Sequence, residues 1–256
     1  MLLDDSPPTR NLLQTSEDDR LWRVFPSDRA LQLFSERKNV LVAPRKWDDP
    51  FENFLSRCRV QIGEDQFATL AGLTHRFYGQ CWCHSEPETD ATWRIYAPGK
   101  VRGMRLKVRA GALFDTIYRA DSQLSAIQCF LGRVEYQKED SIHQWLSKLN
   151  VGAQLLTSDG LAIAKTLLLK RTQFSHEMET RLLFDRHTGK QGCSDIFKFD
   201  CDPNELVEHI LLDPRWSKEE AQVATQQLRC VGYQGTIEHS TLYSVPQFAD
   251  LAPLAG

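Results

Sequence analysis

Gly103-Met104-Arg105-Leu106-Lys107-Val108-Arg109 decides how the fold is read. Met104, Leu106 and Val108 alternate with Arg105, Lys107 and Arg109, the period-two signature of a strand with one face in a core and one face wet. Toward the N-terminus, Leu21–Phe25 reads as another short strand, and Ser27 as the cap of a helix with Ala30, Leu31 and Phe34 at helical spacing. Val40–Ala43 reads as a buried strand stopped by Pro44. Phe67, Leu70, Ala71, Thr74 and Tyr78 share one helical face, with Gly79 as the C-terminal stop and a strand through Cys81–Cys83 beyond it. Toward the C-terminus the pattern predicts helices near 111–119, 139–149 and 160–170, and strands near 126–137, 179–185 and 195–199. Asp202-Pro203-Asn204-Glu205 opens a helix with a capping acid and an N1 proline. Ser217 with Glu220 forms a capping box for a helix reaching Cys230, Gly232 ends it, and Thr236–Tyr243 closes the chain as a strand. No regular βαβ rhythm and no Gly-rich phosphate loop follow any strand. The expectation is an α+β fold with a mixed, mainly antiparallel sheet flanked by helices, not a Rossmann or P-loop domain.

At 256 residues and 29.4 kDa the chain is long enough for one substantial core. Its 41% hydrophobic and 25% charged residues are ordinary globular values, which argue against a fibrous or wholly disordered protein. The longest apolar runs, Val40–Ala43 and Leu161–Ala164, are far shorter than the roughly twenty residues a membrane helix needs. The acidic, proline-broken opening MLLDDSPPTR lacks the basic start and apolar stretch of a secretory leader, and the odd count of seven cysteines argues against a disulfide framework. Together these predict a cytoplasmic protein with no membrane partner. A net charge of −3 supplies no global attraction toward nucleic acid. Residues 1–20 read as a loose acidic arm, 21–245 as one domain, and 246–256 as a tail.

Four constellations could carry chemistry. In Trp47-Asp48-Asp49-Pro50-Phe51-Glu52, Asp49 and Glu52 are candidates for substrate contact, or parts of a capped turn pinned by Trp47 and Phe51. Cys81-Trp82-Cys83-His84 holds soft ligands, but on a strand Cys81 and Cys83 share one face while His84 takes the other, so packing is the simpler reading. From Arg94 to Arg109 there are six basic residues and no acidic one, a stripe in which Arg94 and Arg105 could hold phosphate, with Trp93 or Tyr96 stacking on a base. In His176-Glu177-Met178-Glu179-Thr180-Arg181, a strand lines Glu177, Glu179 and Arg181 on one face, which is costly for the two acids unless a cation or ligand lies between them. On a helix, Glu177 and Arg181 would be an ordinary surface pair. Trp47, Phe51, Trp93, Leu106, Leu182 and Phe184 are expected to be buried.

These pieces resemble a widespread bacterial family known as domain of unknown function 2971. The resemblance runs in order over residues 21–243: Leu21-Trp22-Arg23; Ala43-Pro44 leading to the Trp47–Glu52 motif; Cys81-Trp82 with Glu88, Trp93 and Tyr96; the Gly103–Val108 strand; Phe174 with Glu177–Arg181; and Cys201-Asp202-Pro203 through Asp213-Pro214-Arg215. The family usually carries asparagine where Asp48 stands. The chain also resembles the ADP-ribosyltransferase superfamily in the order of Arg23, the Ser85–Tyr96 segment and Glu177-Met178-Glu179. That resemblance implies a split sheet holding NAD as substrate, with Arg23, Ser85, Trp93 and Tyr96 around the dinucleotide. Glu179 would be the catalytic carboxylate, Glu177 would orient the acceptor, and Arg181 would be a substrate or phosphate contact. It further implies a transferase or NAD glycohydrolase acting in defence or toxicity, with a nucleic acid or protein as acceptor. Two alternatives stay open: a Mg²⁺-dependent nuclease using Asp49, Glu177 and Glu179, and a ligand-binding module without catalysis.

Overall fold

In the computed structural model the described residues are 10–49, 51–61, 64–119, 122, 124–148, 160–186 and 194–245. The strands along them are β1 (Asn11–Leu13), β2 (Arg20–Pro26), β3 (Lys38–Val42), β4 (Arg59–Gln61), β5 (Phe67–Thr69), β6 (Phe77–Cys83) and β7 (Gly103–Arg109). They continue with β8 (Cys129–Arg133), β9 (Glu135–Gln137), β10 (Leu169–Arg171), β11 (Glu179–Asp185), β12 (Ile196–Asp200), β13 (Val207–Leu212) and β14 (Thr236–His239). Ten of them form one sheet in the order β1-β8-β11-β6-β2-β7-β13-β14, with β3 added to β6 and β12 to β3. The β1–β8 and β13–β14 pairs are parallel and the rest of this sheet is antiparallel, giving the expected α+β architecture with a mixed, mainly antiparallel sheet.

The sheet divides at β6. Along one edge β6 pairs continuously with β11 from Glu179↔Cys83 to Asp185↔Phe77. Along the other edge it meets β2 only at Trp22↔Cys83 and β3 only at Val42↔Gly79. Between those two contacts the edge is held by side chains: Arg23 Nη1 donates to the Cys81 carbonyl at 2.7 Å, and Gln80 Nε2 to the Val40 carbonyl at 3.2 Å.

Alternation along paired strands sorts the side chains onto two faces. Leu21, Leu106, Ile210, Tyr78 and Leu182 face the main core, against Ala30 and Phe34 of helix Ser27–Glu36, Leu113 of helix Ala110–Asp115 and Leu228 of helix Lys218–Cys230. Each such aliphatic side chain contributes about 1.5–3 kcal/mol on burial. The opposite face is covered by two separate patches. Helix Asp90–Tyr96 lays Trp93 and Ala97 against Val24, while Phe54, Leu55, Ile163 and Leu168 cover Phe77, Phe130 and Leu183.

Several expectations are corrected. The supposed arm contributes β1, because Asn11–Leu13 pairs in parallel with Phe130–Gly132. The helix expected over 67–78 shrinks to the single turn Ala71–Thr74: Leu70, Thr74 and Tyr78 are buried as the spacing requires, but Phe67 is 58% exposed on the short strand Phe67–Thr69, and the aromatic, β-prone run from Phe77 is a strand. Gly79 is therefore a strand residue, and a Cβ there would lie 2.7 Å from the Trp47 ring. Ser27 makes no cap bond; Pro26 precedes the helix. The expected wet face of β7 is partly covered, with Arg105 only 7% exposed. The 126–137 segment opens with the helical turn Ser125–Gln128 and breaks between β8 and β9. The helix expected over 160–170 stops at Thr166, and Lys170 lies in β10. Helix Pro203–Leu206 is one turn long, and the last strand stops at His239. Trp93, Leu106 and Leu182 are buried, whereas Trp47, Phe51 and Phe184 are only half-buried. Pro50, residues 1–9 and the 246–256 tail lie outside the described residues.

Candidate active site

Where the two covering patches stop short of each other, a cavity of about 260 Å³ opens over the divide in the sheet. Arg23 of β2, Cys81 and Cys83 of β6, Ser85, Tyr96, Arg105 of β7, and Glu177 and Glu179 are all in its wall. Thus Arg23, Ser85, Tyr96, Arg105, Glu177 and Glu179, singled out from distant parts of the chain, meet around one space.

The acidic end of the cavity is the most highly organised. The six-residue 3₁₀ helix Thr172–Glu177 ends at Met178, which has a positive φ of 46°, and β11 begins with Glu179. Glu177 is therefore not a strand residue, and it does not form the helical pair with Arg181. Lys170 Nζ lies 2.6 Å from Glu177, 2.7 Å from Glu179 and 2.6 Å from Glu52. Arg181 Nε and Nη2 both reach Glu179 Oε2 at 2.7 Å, Nη2 also reaches Glu52 Oε1 at 3.0 Å, and Nη1 donates to the Leu167 carbonyl. The Arg181 guanidinium lies 4.5 Å from the Trp47 ring centroid. The Glu179 amide donates to the Tyr136 hydroxyl.

Two cations thus face three carboxylates, and the surplus negative charge decides the protonation. Burial raises the Glu179 carboxyl, but Arg181 and Lys170 outweigh it and hold Glu179 ionised, well below the carboxylate range. Glu177, with no contact to Arg181, is pushed up to about 7 by burial and by Glu179 beside it. The Cys81 thiol, pushed up to about 12 chiefly by burial, stays protonated and is a poor nucleophile. Burial also raises the Tyr96 phenol, which stays neutral as a hydrogen-bonding wall.

Other expected contacts fall elsewhere. Trp93 is fully buried, its Nε1 donates to Glu88, and it cannot stack on a ligand. Arg94 points outward in a pair with Asp90. Asp49 and Glu52 are not in the cavity wall: Asp49 accepts from Arg171 and the Phe51 amide, and Glu52 braces Lys170 and Arg181. Arg181 is fully buried behind Glu179. For the nuclease alternative, the space between Glu177 and Glu179 is spanned by the Lys170 ammonium, and Asp49 belongs to a different ion pair. His84 approaches Thr180, away from the cysteine face. Lys170 was missed because a helical reading of 160–170 leaves it at a solvated end; the strand-like triplet Leu169-Lys170-Arg171 before Phe174 was the available signal.

Comparison with known proteins adds one likeness. Neither a family model nor a curated protein matches the chain, so membership of family 2971 has no matching model behind it. Among solved structures it is similar to Thermus sp. 2.9 DarT in complex with carba-NAD+, at 10% identity and a TM-score of 0.39, over 88% of this chain and 97% of that one. The same protein in complex with ADP-ribosylated ssDNA aligns at 11% identity and a TM-score of 0.39, over 91% and 98%. With agreement this loose, the functional reading rests on the geometry of the chain itself. No helix among the described residues is long and apolar enough to cross a membrane.

Proposed function

We propose that the cavity binds the nicotinamide-ribose end of NAD and that the protein transfers ADP-ribose to a nucleic acid or protein acceptor, or to water. One observation carries this reading: Arg23 and the Glu177–Glu179 pair come from opposite sides of the sheet's divide and line the same nucleoside-sized space. Arg23 has no carboxylate partner among the described residues, which suits it to a phosphate or ribose oxygen. Arg105 adds a second guanidinium in the wall; its Nη2 is already committed to the Ser85 and Glu86 carbonyls. Tyr96, 40% exposed at the rim, offers a ring face to the nicotinamide or to an acceptor base.

The chemistry follows from the unequal acids. The bond between ribose C1′ and the nicotinamide nitrogen breaks, and its electron pair neutralises the pyridinium. The ionised Glu179 carboxylate stabilises the positive charge that develops on the ribose. An acceptor hydroxyl then attacks C1′, and its proton passes to Glu177, which titrates close to neutrality and can both accept and release it. NAD is the only co-substrate this scheme needs.

The purified protein, alone or with cell extract, should release nicotinamide from NAD, and Glu179→Gln should abolish the release while leaving the circular dichroism spectrum intact. Retained turnover in that variant would sink the assignment. Activity that disappears with a chelator and returns with Mg²⁺, on a nucleic acid without NAD, would instead establish the nuclease.

A further inference from the structure

Lys170 belongs to none of the motifs that suggest a function, yet it is the only side chain that touches all three acids of the cluster among the described residues. It is 4% exposed and lies on β10, whose pairing with β9 is parallel, from Leu169↔Glu135 to Arg171↔Gln137. Its ammonium has three donors, and three carboxylate oxygens stand at 2.6–2.7 Å. The stem passes the Phe174 ring, with Nζ 4.8 Å from the centroid. A strongly hydrated ammonium is costly to bury, so a lysine kept in this place has its charge fully employed.

We propose that Lys170 is the positioning residue of this site: its ammonium binds Glu177 and Glu179 as an unequal pair, one locked toward Arg181 and one facing the cavity. The proposal rests on the reading above only in taking these two carboxylates as the reacting pair.

The asymmetry comes from the second cation. Arg181 contacts Glu179 and Glu52 but not Glu177, so of the three acids only Glu177 depends on Lys170 alone. The other ionisable groups set around Glu177 are Glu179 on β11, Tyr136 on β9, Cys83 on β6 and Tyr96 on helix Asp90–Tyr96. Arg23, Arg105 and His176 share the cavity wall, but among the described residues Lys170 alone forms an ion pair with Glu177. Removing the ammonium leaves Glu177 beside the ionised Glu179 with no cation of its own, while Arg181 still offsets part of the Glu179 charge. Its proton should then be held more tightly, and the group should fail as an acceptor near neutral pH.

The test follows the Glu177 carboxyl directly by NMR in protein labelled with ¹³C at glutamate Cδ, with Glu177→Gln assigning the resonance, and in parallel records the pH profile of nicotinamide release. In wild-type protein the resonance should titrate near neutrality. In Lys170→Met its midpoint should rise by about one to three pH units, with the acid limb of the activity profile moving the same way. Lys170→Arg, which keeps the charge, should bring the midpoint most of the way back. Should Lys170→Met not fold, Lys170→Gln retains a donor without the charge and should show the same upward shift. An unmoved midpoint in the folded neutral variants overturns the proposal. A wild-type protein that releases no nicotinamide but still shows the shift removes the enzymatic reading and leaves the assignment of Lys170 standing.

Discussion

Arg181 grips Glu179 from two residues further along the same strand face, Nε to Oε2 at 2.7 Å, with neither side chain more than 5% exposed. In a strand, i and i+2 share a face, so β11 carries its own counter-ion beside the acid it presents to the cavity. Arg181→Ala removes the cation from buried Glu179 and Glu52 together, and should cost about 3–5 kcal/mol of stability, read from urea unfolding. Arg94→Ala breaks only an outward-facing pair with Asp90 and should leave the unfolding midpoint where it was. Equal effects of the two variants would refute the distinction.

Within β6, position 79 is a glycine because an indole occupies the space a side chain would need. A Cβ at this position would lie 2.7 Å from Trp47 Cζ2 and 3.0 Å from Leu183 Cδ2. Gly79→Ala should therefore destabilise by about 1–3 kcal/mol. The displaced Trp47 should also change its fluorescence, since its ring lies against the Arg181 guanidinium. A neutral or stabilising Gly79→Ala would show that the indole yields freely.

Stability should depend on pH through Glu177 in a direction opposite to that of an ordinary salt-bridged acid. Its folded value of about 7 lies above the ordinary 4.5, so between those values the native state holds a proton that the unfolded chain has lost. The contribution of this group to stability is complete below the unfolded value, declines as pH rises through that window, and levels off above it. Glu179, held low, contributes in the opposite sense, and its share is lost as pH falls below the ordinary carboxylate range. Comparing wild type with Glu177→Gln isolates the first effect: the variant should gain on wild type between about pH 4.5 and pH 7. A constant difference across that range would count against a raised Glu177.

Trp93 should act as a strut rather than as a ligand contact. Its ring is fully buried against Val24 and Ala97, and its Nε1 donates to Glu88 at 2.8 Å. Trp93→Phe should lose about 1.5–3 kcal/mol through the lost bond to the Glu88 carboxylate, which keeps its donor Ser240, while leaving the affinity for NAD unchanged. Trp93→Ala should cost about 3–5 kcal/mol through the cavity it leaves. A large loss of affinity in Trp93→Phe without loss of stability would return the indole to the binding site.

Strands β2, β7, β11 and β12 were legible because their patterns are local: alternation in Gly103–Arg109, and β-prone apolar residues in Leu182–Phe184. The Ser217 and Glu220 capping box and the Gly232 stop were equally readable, since a cap is a contact between near neighbours. Where apolar spacing fitted two periods, as in 67–78 and 160–170, only the presence or absence of a core to pack against could choose. The candidate site shows the same boundary. Arg23, Tyr96, Glu177 and Glu179 stand out in the sequence as residue types suited to a nucleotide, and the tertiary structure sets them around one cavity.

What the amino-acid order determined by itself was the elements with an unambiguous local pattern, such as β2, β7, β11 and helix Lys218–Cys230, and the residue types available to a site. What only the tertiary structure decided was the partnership among charges. Lys170, Glu52 and Arg181 come from three separate segments, and nothing in the periodicity of any one of them signals the others. An ion pair depends on distance in space and on exclusion of water, quantities that exist only once β6, β10, β11 and the Trp47–Glu52 turn have packed together. That packing turned two neighbouring glutamates of similar intrinsic acidity into one fixed anion and one carboxyl raised to about 7.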